Sequence, residues 1–376
     1  MAQLKLYVSI IFSLVFFTAV AHEGCALRPE TNENSATKSR RHKGILFFLT
    51  WCLGVLVAIL TAASYDAAPS PGTDENQHKR FAQHIGPPCH GVYSPSEITK
   101  VVFLGTGNPN PDPQHSGNSV AVVVKDTPYI IDFGPGLIRK AAALSPGYGG
   151  KIQGLESENI KRAFLTHLHS DHTTGYPDLI FTPWVMGRDE PLEVYGPEGI
   201  KAMTEHILEA YKEDIRVRLY GLEPANNRGW RVNAHEIKEG VIYKDENVTV
   251  EAFLVEHGSW PEVYGFKFTT PDRTVAVSGD TRPCKNLVEK CKNVDILIHE
   301  VYSQEKLKER TPFWQKYHPQ FHTSTHELAE IASQVKPGLL ILYHQLYWGI
   351  SDEELVKEIT DRYKGKVVSA KDLDVY

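Results

Sequence analysis

The chain has 376 residues, 17 of them histidine, and a formal net charge of -6. That length admits one large domain or two ordinary ones, and the negative balance excludes a broadly basic, nucleic-acid-coating surface, because neutralising phosphates needs clustered Lys and Arg; a local basic groove stays open. The five cysteines (Cys25, Cys52, Cys89, Cys284, Cys291) form no CxxC pair, which excludes a zinc finger or a disulfide-dense scaffold, while a single bridge such as Cys284–Cys291 is compatible with their number.

Two apolar stretches precede anything that reads as globular. Residues 6–21 follow a lone Lys5 and close on Ala19-Val20-Ala21, which fits a cleaved signal as well as a membrane span. Residues 45–63 carry no charge and, at about 1.5 Å per residue, just reach across a hydrocarbon core of about 30 Å. Lys38, Arg40, Arg41 and Lys43 stand before that stretch, and by the positive-inside tendency they stay cytoplasmic. The expectation is therefore a signal or transmembrane region over 1–64, a linker over 65–94 (Ala67-Ala68-Pro69-Ser70-Pro71-Gly72) and a catalytic domain over 95–376. On this reading the protein is membrane-anchored, with its catalytic domain outside the cytoplasm.

Beyond residue 95, strand-like and helix-like segments alternate. Val101–Leu104 is a short apolar run closed by Gly105-Thr106-Gly107, a strand entering a turn. Val120–Val124 and Tyr129–Asp132 read as a hairpin pair, and Ala163-Phe164-Leu165 runs into a histidine cluster. Ile200–Tyr211 has helical periodicity. Val248–Val255, Val263–Phe268 and Val275–Ser278 read as strands, as do Ile296–Ile298 and Leu339–Leu342, with a helix over Ser324–Gln334 between the last two. Strands mixed with helices over this length predict an α/β domain of packed layers.

Four metal-type side chains, His167, His169, Asp171 and His172, fall within six residues directly after an apolar strand. Neutral imidazoles and carboxylates are the ligands that Zn²⁺ takes, and Mn²⁺ and Fe²⁺ accept the same types. At a strand end His167 and His169 alternate onto one side, while Asp171 and His172 come round from the loop to a second position. One short segment then serves two adjacent metals. His257, Asp280 and His344 recur in the same setting, each at the end of an apolar strand.

The order HxHxDH, His, Gly-Asp-Thr and His resembles that of the metallo-β-lactamase superfamily. Further segments resemble its ribonuclease Z-like branch, which includes tRNA 3′-processing endonucleases and aryl-sulfate and phosphodiester hydrolases. These are Phe103–Gly107, Gly175–Leu179, Tyr195–Gly199, His299-Glu300 and His322–Thr325, and the resemblance spans roughly residues 98–350. It implies an αββα sandwich. It further implies His167, His169 and His257 on one metal, Asp171, His172 and His344 on a second, Asp280 bridging, and His322 facing the leaving group, oriented by Glu300. Two Zn²⁺ ions would activate a bridging water, with Asp171 also in the catalytic set.

Departures from the branch bear on the substrate. The last ligand continues as His344-Gln345-Leu346-Tyr347-Trp348 where ribonuclease Z sequences have His-Phe-Ser and then an Arg. No Arg stands among Asn108–His115, and no long Gly/Lys-rich insertion lies between Tyr195 and Val255. These losses, with an extracytoplasmic location, favour a small ester substrate over tRNA, a phosphodiester or aryl sulfate ester first. The alternatives are tRNA 3′ processing and a non-catalytic binding protein on the same fold. Trp184, Trp260, Tyr264, Trp314, Tyr347 and Trp348 are candidates to line a pocket for a ring-bearing substrate. The oligomeric state is open, a homodimer included.

Overall fold

The computed structural model describes residues 98–376, Pro224 excepted. The apolar stretches 6–21 and 45–63 and the 65–94 linker lie outside the described residues. Six strands, β1 (Thr99–Gly105), β2 (Ser119–Val124), β3 (Thr127–Ile131), β4 (Arg162–Phe164), β5 (Leu192–Gly196) and β6 (Val232–Glu236), form one sheet in sequence order. Seven form the other: β7 (Gly240–Lys244), β8 (Thr249–Leu254), β9 (Tyr264–Thr269), β10 (Thr274–Val277), β11 (Ile296–Tyr302), β12 (Leu339–Leu346) and β13 (Val367–Ser369). Each sheet starts as an antiparallel meander and continues parallel, from β3 in the first and from β10 in the second. The expected hairpin is β2–β3.

The helices are α1 (Leu137–Leu144), α2 (Ser170–Thr173), α3 (Tyr176–Val185), α4 (Ile200–Ala210), α5 (Lys212–Tyr220), α6 (Lys285–Lys290), α7 (Gln304–Leu307), α8 (Pro312–Phe321), α9 (Thr325–Val335) and α10 (Asp352–Thr360). Strand alternation sorts their contacts. Val101, Phe103, Val120 and Val122 meet Val250, Phe266 and Phe268 of the second sheet. The intervening Val102, Leu104, Ala121 and Val123 pack on α1, α3 and α4, because successive side chains on a strand point to opposite faces. The outer face of the second sheet is covered by α6, α9 and α10. The result is four layers, αββα. With both faces buried, central strands read as unbroken apolar runs, and Val101–Leu104 have no exposed surface.

Local chemistry fixes the helix ends. Ser324 and Glu327 form a capping box that starts α9, and Ser351 and Glu354 do the same for α10. In α3, Pro183 has no N–H to offer Leu179. The buried Arg188 guanidinium donates to that carbonyl at 3.1 Å, and also to those of Ile180, Gly229 and Ile160.

One pairing that the sequence left open is closed here, and one expectation is corrected. Cys284 and Cys291 do not bridge; both are free and buried, at the two ends of α6. The seven residue steps from one cap of this six-residue helix to the other, at about 1.5 Å each, hold them about 10 Å apart, beyond the ~7 Å Cα reach of a disulfide. The membrane-anchored, extracytoplasmic placement is also corrected. Among the described residues no helix is long and apolar enough to cross a membrane. The longest, α4 and α9, have 11 residues, about half the rise that a ~30 Å core demands.

Candidate metal centre

The site lies at the edge where the strands of both sheets deliver their loops. Behind β4, the Thr166 amide and hydroxyl donate to Asp132 Oδ1 at 2.8 and 2.9 Å, and α2 turns Asp171 and His172 back toward the strand end. His257 follows β8 and Asp280 follows β10. His344 lies inside β12, where the register against β11 slips, pairing Glu300 with Tyr343 and Val301 with Gln345. The unpaired residue is His344, which takes a left-handed φ of 49°. This bulge aims its imidazole at the site.

The predicted ligands converge. His167, His169, His257 and Asp280 form one group and Asp171, His172 and His344 a second, with the offered atoms of each within 4.8 Å of one another. Asp280 lies between the groups: its carboxylate is 3.5 Å from His172 Nε2, 3.6 Å from His344 Nε2 and 3.9 Å from His257 Nε2. His344 Nε2 lies 3.1 Å from Asp171 Oδ2. His172 Nε2 and Asp280 Oδ1 are buried with no hydrogen-bond partner. Buried polar atoms are rarely left so, and these two face the cluster, which fits a donor set built for cations.

Outer contacts fix which nitrogen faces inward. His172 Nδ1 donates to Asp132 Oδ2 at 2.8 Å and His257 Nδ1 to the Phe321 carbonyl at 2.7 Å, leaving both Nε2 atoms free. His169 Nε2 accepts the indole N–H of Trp260 at 2.7 Å, so Nδ1 faces His167.

The charges divide in the same way. Burial, then repulsion from His172, holds His167 well below the usual imidazole range. Burial brings His169, His257 and His322 down to about 4. Burial alone would raise Asp171, but the charge of His172 and the hydrogen bond from His344 outweigh it and bring the carboxyl to about 2. Asp280 is held low by His344 and His172 against the same opposing burial. Burial alone would lower His172 and His344, but the charge of Asp280 and of the neighbouring carboxylates outweighs it and holds both rings above the ordinary imidazole range, so metal uptake there displaces a proton.

His322 caps the C-terminus of α8 and, buried, sets Nδ1 3.2 Å from Glu300 Oε1. The Thr281 and Thr323 amides donate to the same oxygen. Burial, then the charge of Asp280, pushes the Glu300 carboxyl well above its ordinary range. A cleft of about 340 Å³ is lined by Asn108, His115, Arg310, Gln345, Tyr347 and Trp348 among others, Gln345 being the chain neighbour of His344. Of the aromatic candidates, Trp184 and Tyr264 are core residues and Trp260 touches His169. Tyr347 and Trp348 line the cleft, and Trp314 stacks on His318, which touches Trp348. Asp132 was missed by sequence reasoning. Its only signal was an acid ending the apolar run Ile130-Ile131.

Residues 127–345 match the family described as the beta-lactamase superfamily domain. Ribonuclease Z of Mycobacterium sp. (strain KMS) is 30% identical over 260 residues, covering 66% of this chain and 85% of the relative. Human tRNase Z, short form, superposes with a TM-score of 0.55 at 20% identity, over 74% of this chain and 98% of that one. The metallo-beta-lactamase fold protein YhfI of Bacillus subtilis does so at 0.56 and 18%, over 74% and 99%. Fold and family together define a metal-dependent hydrolase acting on ester bonds. The chain belongs to the metallo-β-lactamase superfamily, in its ribonuclease Z-like branch.

Proposed function

We propose that this chain is a dinuclear phosphodiesterase that cuts precursor RNA on the 3′ side of tRNA, the ribonuclease Z reaction. The observation that carries the reading is the convergence of two ligand groups on Asp280 with the His322–Glu300 pair beside them. The choice of tRNA over a small ester rests on the 30% identical ribonuclease Z, most of whose length is matched.

In this reading His167, His169 and His257 would hold one divalent cation and Asp171, His172 and His344 another, with Asp280 within reach of both groups. Zn²⁺ suits the donors best, and Mn²⁺ or Fe²⁺ share the ligand types. When bound, such a pair lowers the pKa of water and clamps the attacking and departing oxygens of an in-line displacement. The protein supplies the rest. Asp132 and the Phe321 carbonyl fix the tautomers of His172 and His257, so the imidazoles do not reorient at each turnover. His322 meets the departing oxygen with a proton or a hydrogen bond, and Glu300 holds its ring in place.

A second reading, a small phosphodiester or aryl sulfate ester as substrate, is favoured by one observation. Between β5 and β8 the described chain folds back as the α4–α5 pair and β6–β7, with no extended arm for a large RNA. The test is parallel assay of the full chain on precursor tRNA, a nitrophenyl phosphodiester, an aryl sulfate and a lactone, with and without chelator. Chelator-sensitive cutting at the tRNA 3′ side, abolished in Asp171→Ala, is expected. Turnover of a small ester with intact precursor would overturn the tRNA reading, and a protein that takes up no metal would overturn the site.

A further inference from the structure

Helix α8 carries two aromatic columns that run from solvent to the metal centre. Phe313, Tyr317 and Phe321, spaced at i, i+4 and i+8, are stacked ring on ring, with interplanar angles of 16° and 17°. The inner rung, Phe321, packs edge to face with His257, the ring centroids 5.2 Å apart. It reaches that close because residue 258 is glycine with a φ of +55°; a Cβ there would lie 2.0 Å from the Phe321 ring. The outer rung, Phe313, is 67% exposed. Beside it, Trp314 stacks on His318, and His318 packs against Trp348. Burial, then the charges of Asp280 and Asp171, raise the Tyr317 hydroxyl above the ordinary range.

Cations flank the columns. The Arg310 guanidinium sits 5.4 Å above the Trp348 ring. Among the described residues neither Arg310 nor Lys316 enters an ion pair, whereas Lys306 and Lys308 on the same segment are held by Glu309 and Glu305. A single exposed aromatic is ordinary. An ordered stack that ends at the reaction centre, beside uncommitted cations, is the combination that single-stranded nucleic acid uses: bases stack on rings while phosphates meet the charges.

We infer that the α8 columns form a stacking platform for unpaired nucleotides flanking the scissile phosphodiester, with Arg310 contacting their backbone. This rests on the RNA-processing reading and deepens it. The unpaired strand enters past Phe313 and Arg310 and brings its phosphodiester to the cluster, with no need of a long arm elsewhere on the fold.

The test is fluorescence anisotropy of the full chain with a labelled, unstructured oligoribonucleotide in the presence of chelator, so that no cutting contributes. Phe313→Leu keeps apolar bulk but loses the π face and should weaken binding about fivefold or more, whereas Phe313→Tyr should bind like the wild type. Arg310→Gln should weaken binding and reduce the salt slope by about one. Tyr220→Ser, on the exposed end of α5, should leave binding unchanged. If the wild type binds and cuts precursor while Phe313→Leu binds equally well, the platform is overturned and the ribonuclease reading stands. Equal weakening by Tyr220→Ser overturns it too, as diffuse surface binding. A wild-type chain that neither binds nor cuts RNA overturns both.

Discussion

The indole N–H of Trp260 donates to Nε2 of His169 at 2.7 Å, which leaves Nδ1 of that ring 2.8 Å from His167 Nε2 and 3.2 Å from His257 Nε2. A neutral imidazole that accepts at Nε2 carries its proton on Nδ1. A cation taken up at Nδ1 moves that proton to Nε2, where the indole can no longer donate. Loading therefore gives up one hydrogen bond, about 0.5–1.5 kcal/mol. Trp260→Phe keeps a ring packed on His169 without the donor and should bind Zn²⁺ about two- to tenfold more tightly. Competition against a chromophoric chelator measures this, and an unchanged affinity would show that the indole makes no such demand.

Asp132 holds His172 and Thr166 together from a left-handed backbone, φ 56°, at the end of β3. Its removal should loosen the ring that offers Nε2 to the cluster, and outer partners of metal ligands commonly govern affinity by about 10–100-fold. Asp132→Asn is expected to show that loss in metal titration. The melting point taken in chelator separates ligand orientation from folding. A drop in stability with unchanged affinity for metal would make Asp132 a purely structural residue.

The seven candidate ligands were legible because they cluster at or just beyond the ends of apolar runs, and the two sheets gather those segments along one edge. The strands were legible for a related reason: burial on both faces leaves runs such as Val101–Leu104 with no polar interruption. Asp132 was not, because its partners stand 34 and 40 residues away and nothing local distinguishes it from a strand terminus. Trp184 and Trp260 look alike in sequence, yet one is core and the other donates to a ligand 91 residues distant. Helix α8 was obscured by its own Pro319 and its exposed rings. The cysteines left a bridge open, since Cys284 and Cys291 are near in sequence but held apart by α6.

Acid stability should depend on Asp245, which ties the sheets together. It accepts from the hydroxyls of Tyr129 on β3 at 2.6 Å and Tyr243 on β7 at 2.8 Å, and from two amides of its own turn. Burial alone would raise this carboxyl, but those hydrogen bonds outweigh it and hold it below the usual range. A depressed carboxylate stabilises the fold above its unfolded pKa, and that stability is lost as pH falls through the folded value. Asp245→Asn should cost about 1–2 kcal/mol at neutral pH, allowing for partial exposure, and should flatten the loss below about pH 4. Denaturant midpoints across that range test it. Parallel acid limbs for the two proteins would assign the loss to other carboxylates.

Arg188 and Pro183 should prove energetically coupled. The proline leaves the Leu179 carbonyl without its helical donor, and the guanidinium takes that carbonyl and three others, entering no ion pair among the described residues. Burial brings this guanidinium down to about 10, a sign of how little solvent reaches it. Arg188→Met fills similar volume but strands four buried carbonyls, at an expected cost of about 3–5 kcal/mol. Pro183→Ala restores an N–H at the position that faces Leu179. In that background the same Arg188→Met change should cost about 1 kcal/mol less, because one of the stranded carbonyls regains a donor. Denaturant midpoints of the two single variants and the double variant close the cycle. Strict additivity would mean that α3 tolerates Pro183 independently of Arg188, and that the Leu179 contact contributes nothing of its own.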